Sequence, residues 1–338
     1  MPATFLITGA TGLIGFRVLV TALKGGHKVR YAVRSEEKAK IVSSNPAVQK
    51  LGAAALDRLS SAVIPDFAIH GAFDEALKGV THVIHVGSPV PMPYFDPKTQ
   101  IFEPTIKNTA GLLQSALKVP TVQRVVLTSS IVANLGLPTR PQTATVSAAT
   151  RVSPPNRLPE TFTDVMEAYI LGKMVEMENT DNFIKTQKPH FKISHVMPGY
   201  VFGRNDLELD VTMMDKENSS NNFLMVGMLG GELPFPIHGA FAHIDDVAEL
   251  HLRVALDEAY GNKDVGIATK VDYSSIFDCV KGIYPEAVEA GVLKKGTVPT
   301  LPVDYDSSDA TALLGGLRSF ESAVADVASQ YLELLRKE

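Results

Sequence analysis

Short apolar runs alternate with longer segments of helical periodicity through the first two-thirds of the chain. Alternation of strand-like and helix-like segments predicts right-handed crossover units around a parallel sheet. Predicted strands cover Thr4–Thr8, Lys28–Val33, Ser61–Ile64, His82–Val86, Arg124–Thr128 and Lys192–Met197. Predicted helices cover Gly12–Leu23, Ala47–Arg58, Ala72–Leu77, Phe102–Leu117, Asp164–Lys185 and Phe320–Leu335. We therefore expect an α/β protein with a doubly wound parallel sheet and with ligands at the carboxyl ends of its strands.

Two segments interrupt this alternation. Residues 138–159 are rich in Pro, Thr, Ser and Ala, and residues 204–222 end in a polar run, so both are expected to be loops. Long loops in a compact domain are more often functional than accidental.

Composition excludes several classes of protein. The 338 residues are 45% hydrophobic and 20% charged, as in an ordinary globular protein, and the net charge of -5 does not favour nucleic acid. The single cysteine, Cys279, allows no internal disulfide, and we expect no metal site. The sequence shows no signal-peptide pattern and no apolar run long enough to span a membrane, so we expect a cytoplasmic protein.

A glycine-rich turn follows the first predicted strand. Gly9, Gly12 and Gly15 are spaced by three and lead into an amphipathic segment. We expect Gly9 to permit the turn, Gly12 to let phosphates approach, and Gly15 to let the helix pack on the strand. The amides and positive dipole end of such a helix form a site for a pyrophosphate. The neighbouring residues assigned to this site are Thr11, Leu13 and Ile14.

The end of the second predicted strand indicates which cofactor would bind. A free ribose hydroxyl is usually met there by Asp or Glu, whereas a 2′-phosphate is met by a basic group. This chain has Arg34 at that place and Lys38 one turn later, which favours NADPH over NADH. Asp66, after the third predicted strand, is placed to accept a hydrogen bond from the adenine amino group.

A tyrosine and a lysine four residues apart form the candidate catalytic pair. Tyr169 and Lys173 share one face of a predicted helix. An ammonium one turn away favours the ionised phenol, which makes the pair a usable proton donor to a carbonyl oxygen. A second such pair, Tyr94 and Lys98, encloses Pro97, which disfavours a regular helix, so we interpret that pair as a decoy.

Hydroxyl side chains end the fifth predicted strand. Thr128, Ser129 and Ser130 would face the ligand crevice at the carboxyl end of a buried strand. One of these hydroxyls can hold a substrate carbonyl oxygen near the tyrosine.

Together, residues 8–15, 128–130 and 169–173 resemble the extended short-chain dehydrogenase/reductases, which have a Rossmann-type fold. Residues 33–35, 71–79, 85–89, 195–203 and 242–248 are similar to the branch of dihydroflavonol, cinnamoyl-CoA and fungal aldehyde–ketone reductases. The resemblance covers most of residues 3–280. It implies a cofactor-binding domain of residues 1–200, to which 237–280 contribute, and a substrate-binding lobe of residues 201–236 and 281–338.

The resemblance also implies roles for individual residues. Tyr169 would be the general acid, Lys173 would bond the nicotinamide ribose, and Ser130 would orient the carbonyl. Residues nearer the cofactor would be Thr128, Ser129, Val86, Gly87, Ser88, Pro198, Gly199, Tyr200 and Val201.

The chain departs from this branch in two places. It has no tryptophan, and its segment 138–159 has diverged from the acidic-then-aromatic pattern that helps to wall the pocket in relatives. Plant-type flavonoid or phenylpropanoid substrates are therefore not carried over. Gly87 stands where relatives often have Ala or Thr, and we expect it to leave room beside the cofactor.

Apolar residues near the expected cleft are the candidate substrate contacts. An apolar, methionine-rich stretch suits an apolar ligand, although the same spacing is typical of ordinary core. The candidates are Pro89, Val90, Asn134, Phe202, Leu224, Met225 and Met228. His243 is expected to fix structure rather than bind a metal.

Three functions remain open at this stage. The first is an NADPH-dependent reductase of a ketone or aldehyde on a mostly apolar small molecule, acting as monomer or homodimer without nucleic acid or membrane. The second is an NAD(P)-dependent epimerase or dehydratase, which needs a polar pocket with basic residues. The third is a non-catalytic NADP(H)-binding regulatory protein, although such relatives often lose the tyrosine–lysine pair.

Overall fold

A computed structural model describes residues 2–137, 145–215 and 219–337. Within these ranges the strands are β1 Thr4–Thr8, β2 Lys28–Val33, β3 Leu59–Val63, β4 His82–His85, β5 Arg124–Thr128, β6 Val146–Ser147, β7 Lys192–Pro198, β8 Tyr200–Phe202, β9 Ile237–His243, β10 Val265–Ile267, β11 Thr269–Lys270, β12 Thr300–Pro302 and β13 Tyr305–Asp306. The α-helices are α1 Leu13–Lys24, α2 Glu36–Ser43, α3 Pro46–Gln49, α4 Ala53–Leu56, α5 Glu103–Leu117, α6 Val132–Leu135, α7 Val165–Gln187, α8 Val211–Asp215, α9 Asn221–Met228, α10 Ile244–Leu256, α11 Ile276–Ile283, α12 Pro285–Glu289, α13 Ser308–Leu314 and α14 Phe320–Leu335.

A seven-stranded sheet in the order β10-β7-β5-β4-β1-β2-β3 forms the centre of the protein. All of its strand pairs are parallel. The order 3-2-1-4-5 from β3 to β5 is that of a Rossmann sheet, whose topology reverses between β1 and β4. The predicted α/β doubly wound fold is therefore confirmed. The candidate motifs after β1, β4 and β5 lie together at the carboxyl ends of these neighbouring parallel strands.

Alternation along the strands builds the two layers that cover this sheet. Phe5 and Ile7 of β1 are fully buried in a cluster with α1 and α10, whereas Leu6 points to the opposite face and joins a cluster with α5. Helix α7 packs beside α5 on that second face. Strands buried on both faces explain why these runs are continuously apolar. Each fully buried large side chain contributes about 1.5–3 kcal/mol.

A second core forms a smaller lobe around β8, β9, β11 and β12. Four aromatic rings pack edge to face there at centroid distances of 5.1–6.2 Å, namely Phe202, Phe241, Tyr273 and Phe320. Helices α9, α11 and α14 cover them. Because α11 packs in this cluster, residues 276–280 lie with the lobe rather than with the dinucleotide-binding part.

Local structure differs from the prediction in four segments. The single helix predicted over Ala47–Arg58 is divided into α3 and α4, because Gly52 takes a φ of 82° between them. Helix α2 was missed, and its N-cap Ser35 accepts a hydrogen bond from the Lys38 amide. Residues 72–77 form turns instead of a helix, and the segment 204–222 contains α8 and the start of α9. Part of that segment, and residues 138–144 of the other predicted loop, lie outside the described residues.

A chain of charged groups joins the β10 edge of the sheet to α7. His195 of β7 is buried and contacts Asp264 at 2.8 Å, while Arg151 lies 2.5 Å from Asp264 and 2.9 Å from Asp181. Burial opposes the charged imidazole, but the Asp264 carboxylate outweighs it and raises the pKa of His195. Burial likewise opposes the carboxylate, but His195 and Arg151 lower the pKa of Asp264 to about 2.

Within the described ranges, no helix combines the length and the apolar character that crossing a bilayer requires.

The buried His195–Asp264 pair predicts a pH-dependent stability. A raised histidine pKa contributes stability that is complete below its unfolded value of about 6.5 and is lost as the pH rises through the folded value. The lowered carboxyl pKa contributes stability above about 3.8 that is lost as the pH falls toward 2. We expect Asp264→Asn to lower the melting temperature most between about pH 3.8 and pH 6.5, and to lower it less at alkaline pH. The exposed Lys270–Asp304 pair supplies the control, and Asp304→Asn should change little. A pH-independent effect of Asp264→Asn contradicts this assignment.

Candidate active site

The turn after β1 is held by close backbone contacts that only glycine permits. Gly9 has a φ of +72°, and a Cβ there would lie 2.8 Å from the Gly87 nitrogen. A Cβ on Gly15 would lie 2.2 Å from the Gly9 carbonyl oxygen. At Gly12, in contrast, a Cβ would meet only the Gly9 oxygen at 3.5 Å, and α1 begins there without a side-chain cap. The start of α1 is therefore a bare set of amides, flanked by Thr11, Leu13 and Ile14, that fits an anionic phosphate.

The end of β4 is joined to this turn through the Thr8 hydroxyl. The Gly87 amide donates to Thr8 Oγ1 at 3.0 Å, and Thr8 Oγ1 lies 2.8 Å from His85 Nδ1. A Cβ on Gly87 would lie 3.0 Å from the same hydroxyl. Glycine at this position therefore serves the packing of the turn, which differs from the expectation that it leaves room beside a cofactor. Val86 and Ser88 flank it at the mouth of the crevice, both half-buried.

Basic and acidic side chains lie at the ends of β2 and β3 as expected. Arg34 and Lys38 are both exposed. The Arg34 guanidinium carbon lies 5.9 Å from the centre of the Phe67 ring, which gives the planar cation an aromatic support. Asp66 is exposed, and its Oδ1 accepts from the Ala68 amide. Arg34, Lys38 and Asp66 therefore follow the carboxyl ends of β2 and β3, at the same end of the sheet as the glycine turn.

The candidate catalytic pair lies on α7, which begins at the N-cap Asp164 and packs along α5. Lys173 is buried, and its Nζ donates to the Thr128 carbonyl oxygen at 3.0 Å. That bond fixes α7 at the carboxyl end of β5, one residue before Ser129 and Ser130. Tyr169 lies one turn earlier on the same face and is half-buried.

The three hydroxyl residues after β5 have different surroundings. The Thr128 hydroxyl donates to His251 Nε2 at 2.8 Å, because His251 Nδ1 gives its proton to the Val247 carbonyl and burial lowers the pKa of His251 to about 4. Ser130 is half-buried, and its Oγ accepts only a long bond of 3.4 Å from Val132. Among the described contacts, the Ser130 hydroxyl therefore keeps its proton for a ligand, whereas the Thr128 proton is already donated to His251.

Two buried hydroxyls beside the crevice lack a hydrogen-bond partner within the described part of the chain. These are Ser88 Oγ after β4 and Ser129 Oγ after β5. Buried polar atoms are normally paired, so orphaned ones call for a ligand or water. Together with the bare start of α1, they fit a bound nicotinamide dinucleotide.

A carboxylate that the sequence reasoning did not single out lies beside Lys173. Glu176 Oε2 is 3.0 Å from Lys173 Nζ, and both side chains are only 2% exposed. The other oxygen, Oε1, accepts from the Thr109 hydroxyl of α5 at 2.8 Å. An acid three residues after the lysine places both groups on one helix face, and that spacing was the available signal.

The segment that joins β7 to β8 borders the same site. Pro198 ends β7, and a Cβ on Gly199 would lie 2.4 Å from the Ala240 carbonyl oxygen, so glycine allows β9 to approach. Burial, followed by the field of Tyr169, raises the pKa of Tyr200. The Tyr200 phenol therefore stays protonated beside the candidate acid. Val201 is buried in the cluster under the sheet.

Most of the candidate substrate contacts are buried side chains in this structure. Asn134 is 1% exposed, its amide donates to the Thr150 carbonyl, and its oxygen accepts from Tyr305. The following four lie in the second core and are at most 5% exposed: Phe202, Leu224, Met225 and Met228. Contact of these five residues with a substrate stays a prediction, and their burial shows that apolar spacing alone does not separate core from cleft. Pro89 is half-buried and Val90 is 49% exposed, so both stay candidates.

Two further expectations concern groups outside the crevice. Pro97 begins a π-helical turn, Pro97–Phe102, so Tyr94 precedes it and does not share a regular helix with Lys98. His243, Asp245 and Asp326 come together, with one potential ligand atom each within 4.8 Å of the others. Both nitrogens of His243 already have protein partners, because Nδ1 accepts from the Asp245 amide and Nε2 lies 3.3 Å from Asp326.

The fold and the glycine turn define a dinucleotide-binding protein of the Rossmann class. The chain belongs to the NAD dependent epimerase/dehydratase family, whose model matches residues 5–268, and is an extended short-chain dehydrogenase/reductase.

Two fungal relatives align with almost the whole chain. It is 34% identical to "Ketoreductase CTB6" of Cercospora nicotianae over 98% of this chain and 96% of that protein. It is 33% identical to "NAD-dependent epimerase/dehydratase ALT6" of Alternaria alternata, over 98% and 97%. Among solved structures, yeast methylglyoxal/isovaleraldehyde reductase Gre2 complexed with NADPH is similar, with a TM-score of 0.81 and 23% identity over 99% of this chain and 100% of that one. At that identity the likeness to Gre2 establishes the fold.

The contrast between Gly15 and Gly12 predicts separate losses of folding and binding. We expect Gly15→Ala to destabilise the free protein by about 2–3 kcal/mol, because its Cβ meets a backbone oxygen that cannot move aside. Gly12→Ala, at a φ of -120° with open space around the Cβ, should melt like the wild type but bind NADPH at least about tenfold more weakly. Thermal unfolding and cofactor titration measure the two effects. Equal melting temperatures for Gly15→Ala and wild type contradict this interpretation.

Proposed function

We propose that this protein is an NADPH-dependent carbonyl reductase that converts a ketone or aldehyde on a mostly apolar small molecule to the alcohol. The observation that carries the proposal is the bond from Lys173 Nζ to the Thr128 carbonyl, which joins the helix that bears Tyr169 to the end of β5, two residues before Ser130. Similarity over 98% of the chain to a fungal protein named as a ketoreductase supports the reaction class.

In the proposed reaction, Ser130 orients the carbonyl group and Tyr169 supplies the proton. The bound cofactor supplies a hydride. The Ser130 hydroxyl donates a hydrogen bond to the carbonyl oxygen and holds it near Tyr169. The Tyr169 phenol donates the proton that this oxygen requires as it becomes an alcohol. The Lys173 ammonium stabilises the phenolate that is left, and it would contact the nicotinamide ribose.

Preference for NADPH is supported by the charge at the end of β2. Arg34 and Lys38 are exposed cations without a nearby acidic partner among the ion pairs of the described residues. A guanidinium can hold a 2′-phosphate by two charge-assisted bonds, whereas it gains less from a ribose hydroxyl. Phe67 beneath Arg34 limits the orientations of the guanidinium plane.

The alternative functions are disfavoured by particular residues. A sugar-nucleotide epimerase or dehydratase needs basic groups for a diphosphate in the lobe, and Arg204 is already paired with Asp206 and Glu333. A non-catalytic regulatory protein has no need of a buried lysine placed beside the strand-end hydroxyls.

Tyr169→Phe tests the proton donor. The variant keeps the ring and loses the hydroxyl, so we expect kcat for reduction to fall at least about a hundredfold while NADPH binds with nearly unchanged affinity. Oxidation of NADPH would be followed by absorbance against a panel of aryl ketones, β-keto esters, aliphatic aldehydes and diketones. Tyr94→Phe, in the decoy pair, is the matched control and should retain full activity. A Tyr169→Phe enzyme as fast as wild type rejects this assignment.

Arg34→Ala tests the cofactor preference. Loss of the guanidinium should raise the Kd for NADPH about tenfold or more and leave that for NADH within about twofold, because only NADPH carries the 2′-phosphate. Lys40 is an exposed cation on α2, two residues after Lys38, and Lys40→Ala controls for a general change of surface charge. The measurement is a fluorescence titration of both cofactors. Equal weakening of both would remove the basis for the NADPH preference.

A further inference from the structure

The ammonium of Lys173 and the carboxylate of Glu176 form an ion pair inside the protein. Their atoms are 3.0 Å apart, and each side chain is 2% exposed. A lone ammonium at such burial would be driven toward its neutral form, because desolvation disfavours charge. A neutral lysine could not stabilise a phenolate. The charge that the reaction requires therefore depends on a partner carboxylate.

Hydrogen bonds fix the geometry of this pair. An ammonium has three N–H donors, and here one is directed to the Thr128 carbonyl and one to Glu176. The third is left for the side of the site where Tyr169 and the cofactor ribose lie. The Thr109 hydroxyl of α5 holds the second oxygen of Glu176 at 2.8 Å. The carboxylate is therefore positioned by two helices.

The other titratable groups that face Glu176 come from the strands beneath α7. Burial lowers the pKa of His85, at the end of β4, to about 4, so its ring is neutral near pH 7. His195 of β7 also lies in the field of Glu176, but its charge is matched by Asp264. Lys173 is thus the cation that Glu176 balances.

We propose that Glu176 is a positioning residue for this reaction, which keeps Lys173 charged and aims its third N–H at the site. The proposal rests on the reductase function proposed above. It assigns to Glu176 no contact with substrate or cofactor. Its effect reaches the reacting atoms through the field and the orientation of Lys173.

The sign of the expected effect follows from charge alone. When the tyrosine–lysine pair loses a proton, it loses one positive charge, and a neighbouring carboxylate opposes that loss. Removal of the carboxylate therefore lets the proton leave at lower pH. Reduction needs a charged lysine beside a protonated phenol, so loss of the lysine proton at lower pH should move its alkaline limb toward neutral pH in Glu176→Gln.

Glu176→Gln keeps the size of the side chain and an oxygen for Thr109 while it removes the charge. We expect the alkaline limb of kcat/KM for reduction to shift down by about one pH unit, as for a charge within hydrogen-bonding distance. Glu178→Gln, on the same helix but exposed, is the control and should match the wild type. A Glu176→Gln profile with an unmoved limb, whether the rate is full or uniformly low, overturns the proposal.

Direct titration of the phenol separates this proposal from the proposed function. The ultraviolet absorbance of phenolate is recorded against pH for the wild type and for Glu176→Gln, each with and without Tyr169→Phe. The difference isolates Tyr169 and needs no turnover. Ionisation of Tyr169 at higher pH in Glu176→Gln, where Lys173 has lost the charge that stabilises the phenolate, supports the proposal even if no carbonyl compound is reduced. Identical titrations, or ionisation at lower pH, overturn it.

A stability cycle covers the case in which Glu176→Gln does not fold well. Lys173→Met leaves a buried carboxylate without its cation and should lower the melting temperature strongly. Adding Glu176→Gln to Lys173→Met removes that carboxylate and should restore part of the loss. Additive losses in the double variant would show that the two groups are not coupled and would reject the ion pair.

Discussion

The hydrogen bond from Lys173 Nζ to the Thr128 carbonyl is the contact on which the arrangement of the site depends. It joins the middle of a 23-residue helix, α7, to the last residue of β5. Helical periodicity then places Tyr169 one turn away, and chain connectivity places Ser130 two residues beyond the strand. A lysine here is thus a structural link as well as a charge, because no apolar side chain could bond that carbonyl.

Buried charge at this edge of the sheet has to be balanced locally. The Lys173–Glu176 pair belongs to α7, and the His195–Asp264 pair joins β7 to the residue before β10. Each pair has a further hydrogen-bond partner, Thr109 and Arg151 respectively. Ion pairs of this kind add little net stability compared with apolar packing, yet loss of one partner costs about 3–5 kcal/mol. They are therefore best understood as constraints that keep the polar interior in one arrangement. The surrounding apolar clusters supply the stability.

The amino-acid sequence predicted the features that depend on contacts between residues close together in the chain. The glycine turn, the Tyr169–Lys173 spacing and the strands β1, β2 and β5 agree residue by residue with the structure, because each depends on local geometry. Helix α2 was missed since only Ala39 and Val42 in it are buried, which leaves a weak periodic pattern. Glu176 was not singled out, because its partner Thr109 lies on α5, far away in sequence. The burial of Phe202 and Leu224 was not predicted for the same reason: an apolar residue at helical spacing does not reveal which element covers it.

In the proposed mechanism, one ammonium group connects cofactor binding with proton transfer. Two of the three donors of Lys173 are held by Thr128 and Glu176, so a single N–H faces the site. Whatever binds that N–H changes the field at Tyr169, and whatever changes the charge of Tyr169 changes the strength of that bond. Binding and protonation are therefore linked through one atom, and by reciprocity each must affect the other to the same extent. The Glu176 carboxylate lies 3.0 Å from this ammonium on its buried side, so the proposed link includes a third group that contacts neither cofactor nor substrate.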